Sequence, residues 1–172
     1  MEDPEEFPRL LEIFAKYPVS LLILHPRVRA DFYKRPVRME WFRYALDHYN
    51  GPLCFNGGLV TAGDCAGVDQ VMIGQGLLAN PALVRQARGG PGPDKETLRA
   101  FHDELYHTYL ERFASQRNTV FHMKELWSYL SRLFVGAEGK PLKRIRKAAD
   151  SPAYEAAVEQ MFSLPLREEA EW

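Results

Sequence analysis

Three short apolar runs in this chain each stop at residues able to hold an anion or a polar ring. Leu22-Ile23-Leu24 is followed by His25, Leu53-Cys54-Phe55 by Asn56-Gly57-Gly58, and Val71-Met72-Ile73 by Gly74-Gln75-Gly76. Glycine-rich strand ends let backbone N–H groups approach a phosphate closely, although any buried strand also needs a turn after it. The neutral imidazole of His25 could donate to a ring or phosphate oxygen, or it could satisfy a loop carbonyl. The Asn56 amide can both donate and accept, and asparagine is equally a turn former. A second constellation is basic: between Arg117 and Lys147 eight Lys/Arg face two acids, Glu125 and Glu138. Lys124, Lys143, Arg144, Arg146 and Lys147 could contact nucleic-acid phosphates beside Trp127, Tyr129 and Tyr154, or simply form a solvated face.

Other chemistries find little support. His102 and His107, five apart on a helix, do not share a face well enough to ligate one metal. Cys54 lies inside an apolar run, where a thiol is usually a small hydrophobe, and two cysteines make neither a disulfide framework nor a metal pattern. There is no G-x-S-x-G, H-E-x-x-H or Walker lysine. The two cysteines point to a reducing, cytoplasmic setting; Met1 is followed by acids, not by a signal segment, and no apolar run reaches membrane-spanning length.

The elements that must position these residues follow from periodicity. Asp3-Pro4-Glu5-Glu6 predicts a helix start, with Phe7, Leu10, Leu11 and Phe14 at helical spacing as far as Tyr17. Val19 to Leu24 predicts a strand buried on both faces, Met39 to His48 a helix with Trp41, Phe42, Ala45 and Leu46 inward, and Asp69 to Ile73 a third strand after the one at Leu53. Asn80-Pro81 opens a short helix ending near Gly89. This alternation implies a parallel sheet of about three strands, fewer than the eight of a closed barrel, with a short connection from Gly57 to Val68.

The run Gly89-Gly90-Pro91-Gly92-Pro93 predicts a domain boundary. Beyond it the pattern is wholly helical: a long helix capped by Asp94 or Thr97, a second opened by Asn118 or Thr119 and stopped at Gly136, a third over Pro141 to Ala149, and a fourth capped by Ser151-Pro152 through Phe162. Arg167 to Trp172 are expected to fray. At 172 residues, with 46% hydrophobic and 12% aromatic content and a net charge of −1, the chain can bury a core in one large or two small domains.

Several stretches together resemble the C-terminal half of a bacterial tRNA-dihydrouridine synthase. They are Leu22-Ile-Leu-His-Pro-Arg-Val-Arg29 with Phe32-Tyr33, then Pro52-Leu-Cys-Phe-Asn-Gly-Gly58, then Val68-Asp-Gln-Val-Met-Ile-Gly-Gln-Gly76 with Asn80-Pro81, then Met123-Lys-Glu-Leu-Trp127 and Lys143-Arg-Ile-Arg-Lys147. The resemblance implies the C-terminal part of a (β/α)8 TIM barrel over residues 1–88, the FMN-binding half, and a helical tRNA-binding domain over 94–166. It implies FMN at the carboxyl ends of the strands, held by His25, Asn56, Gly57, Gly58, Gly74 and Gln75, and NAD(P)H as reductant. It implies tRNA on the basic helical face. The family's catalytic cysteine and flavin-contacting lysine belong to the half of the barrel preceding Met1, so the resemblance implies no catalytic residue here, little activity for this chain alone, and a second chain as a partner that would complete the barrel. Gln75 stands where the family usually has an arginine that pairs with the FMN phosphate, and Gly58 where an acid is common. A non-catalytic RNA-binding module or a decayed fragment is the alternative reading.

Overall fold

The computed structural model describes residues 5–31 and 35–171, which form two compact units: the described residues up to Leu59 with Asp64–Gly74, and Val60–Gly63 with the described residues from Gln75 onward. The predicted helix start at Asp3-Pro4 and the pair Phe32-Tyr33 lie outside the described residues.

In the first unit a parallel sheet runs in the order β1 (Leu22–Leu24), β2 (Leu53–Asn56), β3 (Val71–Met72). Leu22, Ile23 and Leu24 lie opposite Leu53, Cys54 and Phe55, and Phe55 and Asn56 opposite Val71 and Met72. The outer strands are shorter than periodicity predicts because ladder pairing, and not hydrophobicity, sets their ends: β1 begins only where Pro52 and Leu53 come alongside, and β3 has only two residues of β2 to face.

Alternation along the strands separates two faces. Leu22, Leu24, Leu53, Phe55 and Val71 share the face on which helices α1 (Glu6–Phe14) and α2 (Met39–His48) pack, through Leu11, Ala45 and Tyr49 on one side and Phe42, Leu59 and Val37 on the other. Ile23, Cys54, Asn56 and Met72 share the opposite face, where Ile23 and Met72 are each 48% exposed. The connection from β2 to β3 contains only a 3-10 turn, Gly63–Cys65, in keeping with its length.

The second unit carries α3 (Gln75–Ala79), α4 (Leu83–Ala87), α5 (Lys95–Phe113), α6 (Gln116–Leu130), α7 (Lys140–Lys147) and α8 (Ser151–Ser163). Its core is built on Trp127, Met123, Leu130, Leu133, Phe134, Ile145, Tyr154 and Met161, all fully enclosed. The Asp94 carboxylate accepts from Thr97 N at 2.7 Å and caps α5. The caps of α6 and α8 fall one to four residues earlier than predicted: Ser115 accepts from Asn118 N at 3.4 Å and Asp150 from Ala153 N at 2.9 Å. An N-cap needs extended backbone and an oxygen that reaches the third helical N–H; Ser115 and Asp150 have both, while Thr119 and Ser151 are already buried within helix.

The predicted boundary at residues 89–93 is instead a clamped turn inside this unit. Gly90 N bonds to Arg85 O and Gly89 N to Gln86 O, each at 2.9 Å, with Gly89 at φ +79°, the double closure of a Schellman C-cap. The Arg85 guanidinium then donates to Pro91 O at 2.9 Å and Gly92 O at 2.6 Å. Since α3 packs on α6 and Ala79 enters the helical core, the units divide at Gly74/Gln75, well before the glycine-proline run.

Two further expectations are corrected. Helix α6 stops at Leu130, before Gly136, because a 3-10 turn over Ser131–Leu133 leads into extended Phe134, which pairs with Leu166. The tail is not frayed over 167–171: Arg167 N bonds to Leu133 O at 2.7 Å, Glu171 N to Arg132 O at 3.2 Å, and Ala170 is buried.

A polar network crosses the helical core. Trp127 Nε1–H donates to the Tyr154 hydroxyl at 2.8 Å, that hydroxyl lies 2.7 Å from His102 Nε2, and His102 Nδ1 lies 2.8 Å from Asp103 Oδ1. Asp103 accepts only, so Nδ1 carries the proton and the Tyr154 hydroxyl donates to Nε2. Burial pushes the His102 pKa down and outweighs the opposing pull of Asp103, whose charge is shared with Arg99 through bonds of 2.8 and 3.0 Å. The imidazole is therefore neutral, and each of these buried polar atoms has a partner.

Candidate functional site

His25, Asn56-Gly57-Gly58 and Gly74 all lie at the carboxyl-end side of the three parallel strands, the side on which parallel α/β architectures collect ligands. His25 and Gly57 are in direct contact. A Cβ on Gly57 would stand 2.5 Å from His25 Nε2 and 2.9 Å from Val37 Cγ1, and its backbone φ is +110°, so both space and conformation demand glycine there. Gly58 follows at φ +70°. Two consecutive positive-φ glycines, the first against the imidazole, turn the backbone sharply at the strand end.

His25 is held neutral: partial burial lowers its pKa, and the neighbouring Arg27 charge lowers it further. It can thus donate from one ring nitrogen and accept at the other. Asn56 has one role that its sequence position does not reveal, since its Nδ2 donates to Met72 O at 2.6 Å and ties β2 to β3. The amide hydrogens offered for a ligand are partly spent on the sheet.

Gly74 ends the first unit, and a Cβ there would meet no atom within 4 Å. Gln75 is the first residue of α3 and belongs to the helical unit. A flavin phosphate at these strand ends would meet backbone without side chains at Gly57, Gly58 and Gly74. Beside His25 the cavity lined by Leu24, Pro26, Arg38 and Trp41 measures only about 70 Å³, room for a few waters and well under the roughly 300 Å³ at which small-ligand pockets begin. Both thiols are unreactive in character, with Cys54 pushed up by burial and Cys65 by burial and by Asp64.

One neighbour of this site was not singled out by sequence. Buried Asp31 accepts from Val28 N at 3.2 Å and from Arg38 at 3.1 Å, with Arg35 at 3.6 Å. Burial raises its pKa, but the Val28 N–H and the two guanidinium groups outweigh that and hold it below the ordinary value. The acid seven residues before an arginine in the loop after β1 was the available signal. These bonds tie Val28, Asp31 and Arg38 together in the segment after His25.

The basic residues lie in the helical unit. Leu142, Ile145 and Ala148 turn inward, leaving Lys143, Arg144, Arg146 and Lys147 exposed on α7, while Lys124 is half-buried on α6. Arg144 is committed to Gln160 on α8 at 2.6 Å. Lys143, Arg146 and Lys147 keep the i, i+3, i+4 spacing of one face.

The parallel α/β strands and the helical unit are compatible with the family that comparison with known proteins identifies. Residues 5–163 match the family model described as dihydrouridine synthase (Dus), and the chain belongs to that family. Among its relatives is the tRNA-dihydrouridine(16) synthase of Neisseria meningitidis serogroup B, 25% identical over 142 residues that cover 76% of this chain and 42% of that protein. The tRNA-dihydrouridine(16) synthase of Aquipseudomonas alcaligenes is 32% identical over 84 residues, covering 44% of this chain and 27% of that protein. The chain thus spans less than half the length of these curated relatives. Among the described residues no helix is long and apolar enough to cross a membrane.

Proposed function

We propose that this chain serves the flavin-dependent reduction of uridine to dihydrouridine in tRNA. In this reading the turns after β2 and β3 receive the FMN phosphate, His25 contacts the flavin, and the exposed cations of α7 with Lys124 receive tRNA phosphates. FMN, when bound and reduced by NAD(P)H, supplies the hydride. The residues of this chain bind and orient: Gly57 and Gly58 present backbone N–H groups, and neutral His25 donates one hydrogen bond without adding charge. The two-faced sheet, with α1 and α2 on one side and half-exposed Ile23 and Met72 on the other, is the layering that a (β/α)8 barrel requires of its strands.

The observation that carries the reading is the contact of His25 with Gly57 at the end of β2, where positive φ and absent Cβ are both required. Titration with FMN tests it: quenching of flavin fluorescence is expected with the parent chain and its loss with Gly57→Ala. No quenching by the parent, together with salt-sensitive tRNA binding, would leave the helical unit as an RNA-binding module without a flavin site. Binding of neither ligand would overturn the proposal altogether.

A further inference from the structure

The start of α6 and the end of α5 carry a row of rings that leads from Tyr109, packed against the helical core, out to the surface. Tyr109 and Phe113 lie 5.3 Å apart, Phe113 stacks on His122 at 4.7 Å with an interplanar angle of 20°, and Phe121 meets His122 edge-on at 5.6 Å. Phe121 is 60% exposed, and Phe113 is 36% exposed. On α6 the ring of Phe121 is flanked on its own face by Arg117 four residues before and Lys124 three residues after. Among the described residues neither cation is engaged by a carboxylate; Glu125, one turn beyond Phe121, lies instead 3.9 Å from His122 Nδ1.

We propose that Phe121, with the Phe113–His122 stack behind it, is a base-stacking platform for an unpaired nucleotide of RNA, and that Arg117 and Lys124 grip the phosphates on either side of that base. This rests on the reading of the helical unit as RNA-binding and adds a site that recognises bases through their π faces, distinct from the phosphate-only face of α7. What sets Phe121 apart is its surroundings, a stacked aromatic pair behind it and cations three and four residues away, and that charge indicates its occupant. The segment from Arg117 to Lys147 holds eight cations against two acids. Phe121 shares its face with Arg117, Asn118, Lys124, Glu125 and Ser128, not with aliphatic side chains. A standard protein-docking surface buries about 800 Å² per partner around an apolar centre, whereas stacking needs one ring face per base, and sequence-tolerant binding to single strands combines such rings with cations.

The test uses the full chain and a fluorescently labelled 12-residue oligouridylate, with an RNA duplex of equal phosphate number as comparison, both followed by anisotropy. Phe121→Ala is expected to weaken oligouridylate binding by roughly tenfold, leaving duplex binding and the salt slope unchanged, while Phe121→Trp retains the affinity. Arg117→Ala and Lys124→Ala should each weaken both RNAs and flatten the salt dependence. Since the Phe121 ring is surface-exposed, its variants should unfold like the parent, which circular dichroism checks. Equal binding of the single strand by parent and Phe121→Ala would overturn the platform while leaving the RNA-binding reading of α7 intact. Failure of the parent to bind either RNA would overturn both, and concentration-dependent self-association abolished by Phe121→Ala would replace the platform with a contact between copies.

Discussion

Removing the Tyr154 hydroxyl tests the internal logic of the helical unit. Tyr154→Phe keeps the ring in its enclosed site but strands two buried groups: Trp127 Nε1–H loses its acceptor, 2.8 Å away, and His102 Nε2 loses its donor, 2.7 Å away. Each unsatisfied buried group costs about 1–3 kcal/mol, so a loss of about 2–6 kcal/mol is expected, a large share of the 5–15 kcal/mol by which domains are ordinarily stable. Urea unfolding at pH 8, followed by far-UV circular dichroism, measures it. The same network sets a pH dependence. His102 has its folded pKa lowered below the ordinary 6.5, so the unfolded chain takes up the proton more readily. Stability is therefore full above that value, declines as the pH falls below it, and levels off once the folded pKa is passed. A Tyr154→Phe effect below about 0.5 kcal/mol would refute the hydroxyl's double role, because ordinary surface changes fall in that range. An unchanged slope between pH 7.5 and 5.5 in His102→Gln would refute the assignment of a neutral imidazole.

At the site, Gly57→Ala should destabilise the first unit by about 2–4 kcal/mol, combining positive-φ strain with the clash against His25 and Val37, and adding His25→Ala should recover part of that stability; additive effects in a double-mutant cycle would mean that the His25 contact is not made. Gln75→Arg should strengthen FMN binding by about 1–3 kcal/mol if the phosphate sits at the turn after β3, as isothermal titration would measure; identical titrations for both variants would place the phosphate elsewhere. Replacing Lys143, Arg146 and Lys147 together by Ala should flatten the salt dependence of tRNA binding by roughly 0.7–0.9 for each phosphate no longer neutralised, without altering the fold, and an unchanged slope would make the α7 face a solvated surface.

Much of this molecule is legible locally. The spacing of Phe42 and Ala45 places them in the buried stripe of α2, although Leu46, expected beside them, is exposed; Asp94, one of two expected caps, caps α5, and Leu142 with Ile145 turns the cations of α7 outward, because helix periodicity and capping act within a few residues of chain. The apolar runs before His25, Asn56 and Gly74 announce three strands, and the α/β alternation between them their parallel direction. What sequence alone did not determine depends on partners distant along the chain. Glycine and proline at residues 89–93 read as a boundary until Arg85 is seen gripping the carbonyls of Pro91 and Gly92 and Ala79 is seen entering the helical core. The C-terminal residues read as a loose end until Leu166 meets Phe134 and Arg167 meets Leu133. His102 is an ordinary helical histidine until Tyr154, 52 residues on, reaches its Nε2. Gly57 is one turn glycine among several until the fold sets it against His25, and there the absence of a Cβ becomes a requirement that only three-dimensional packing could impose.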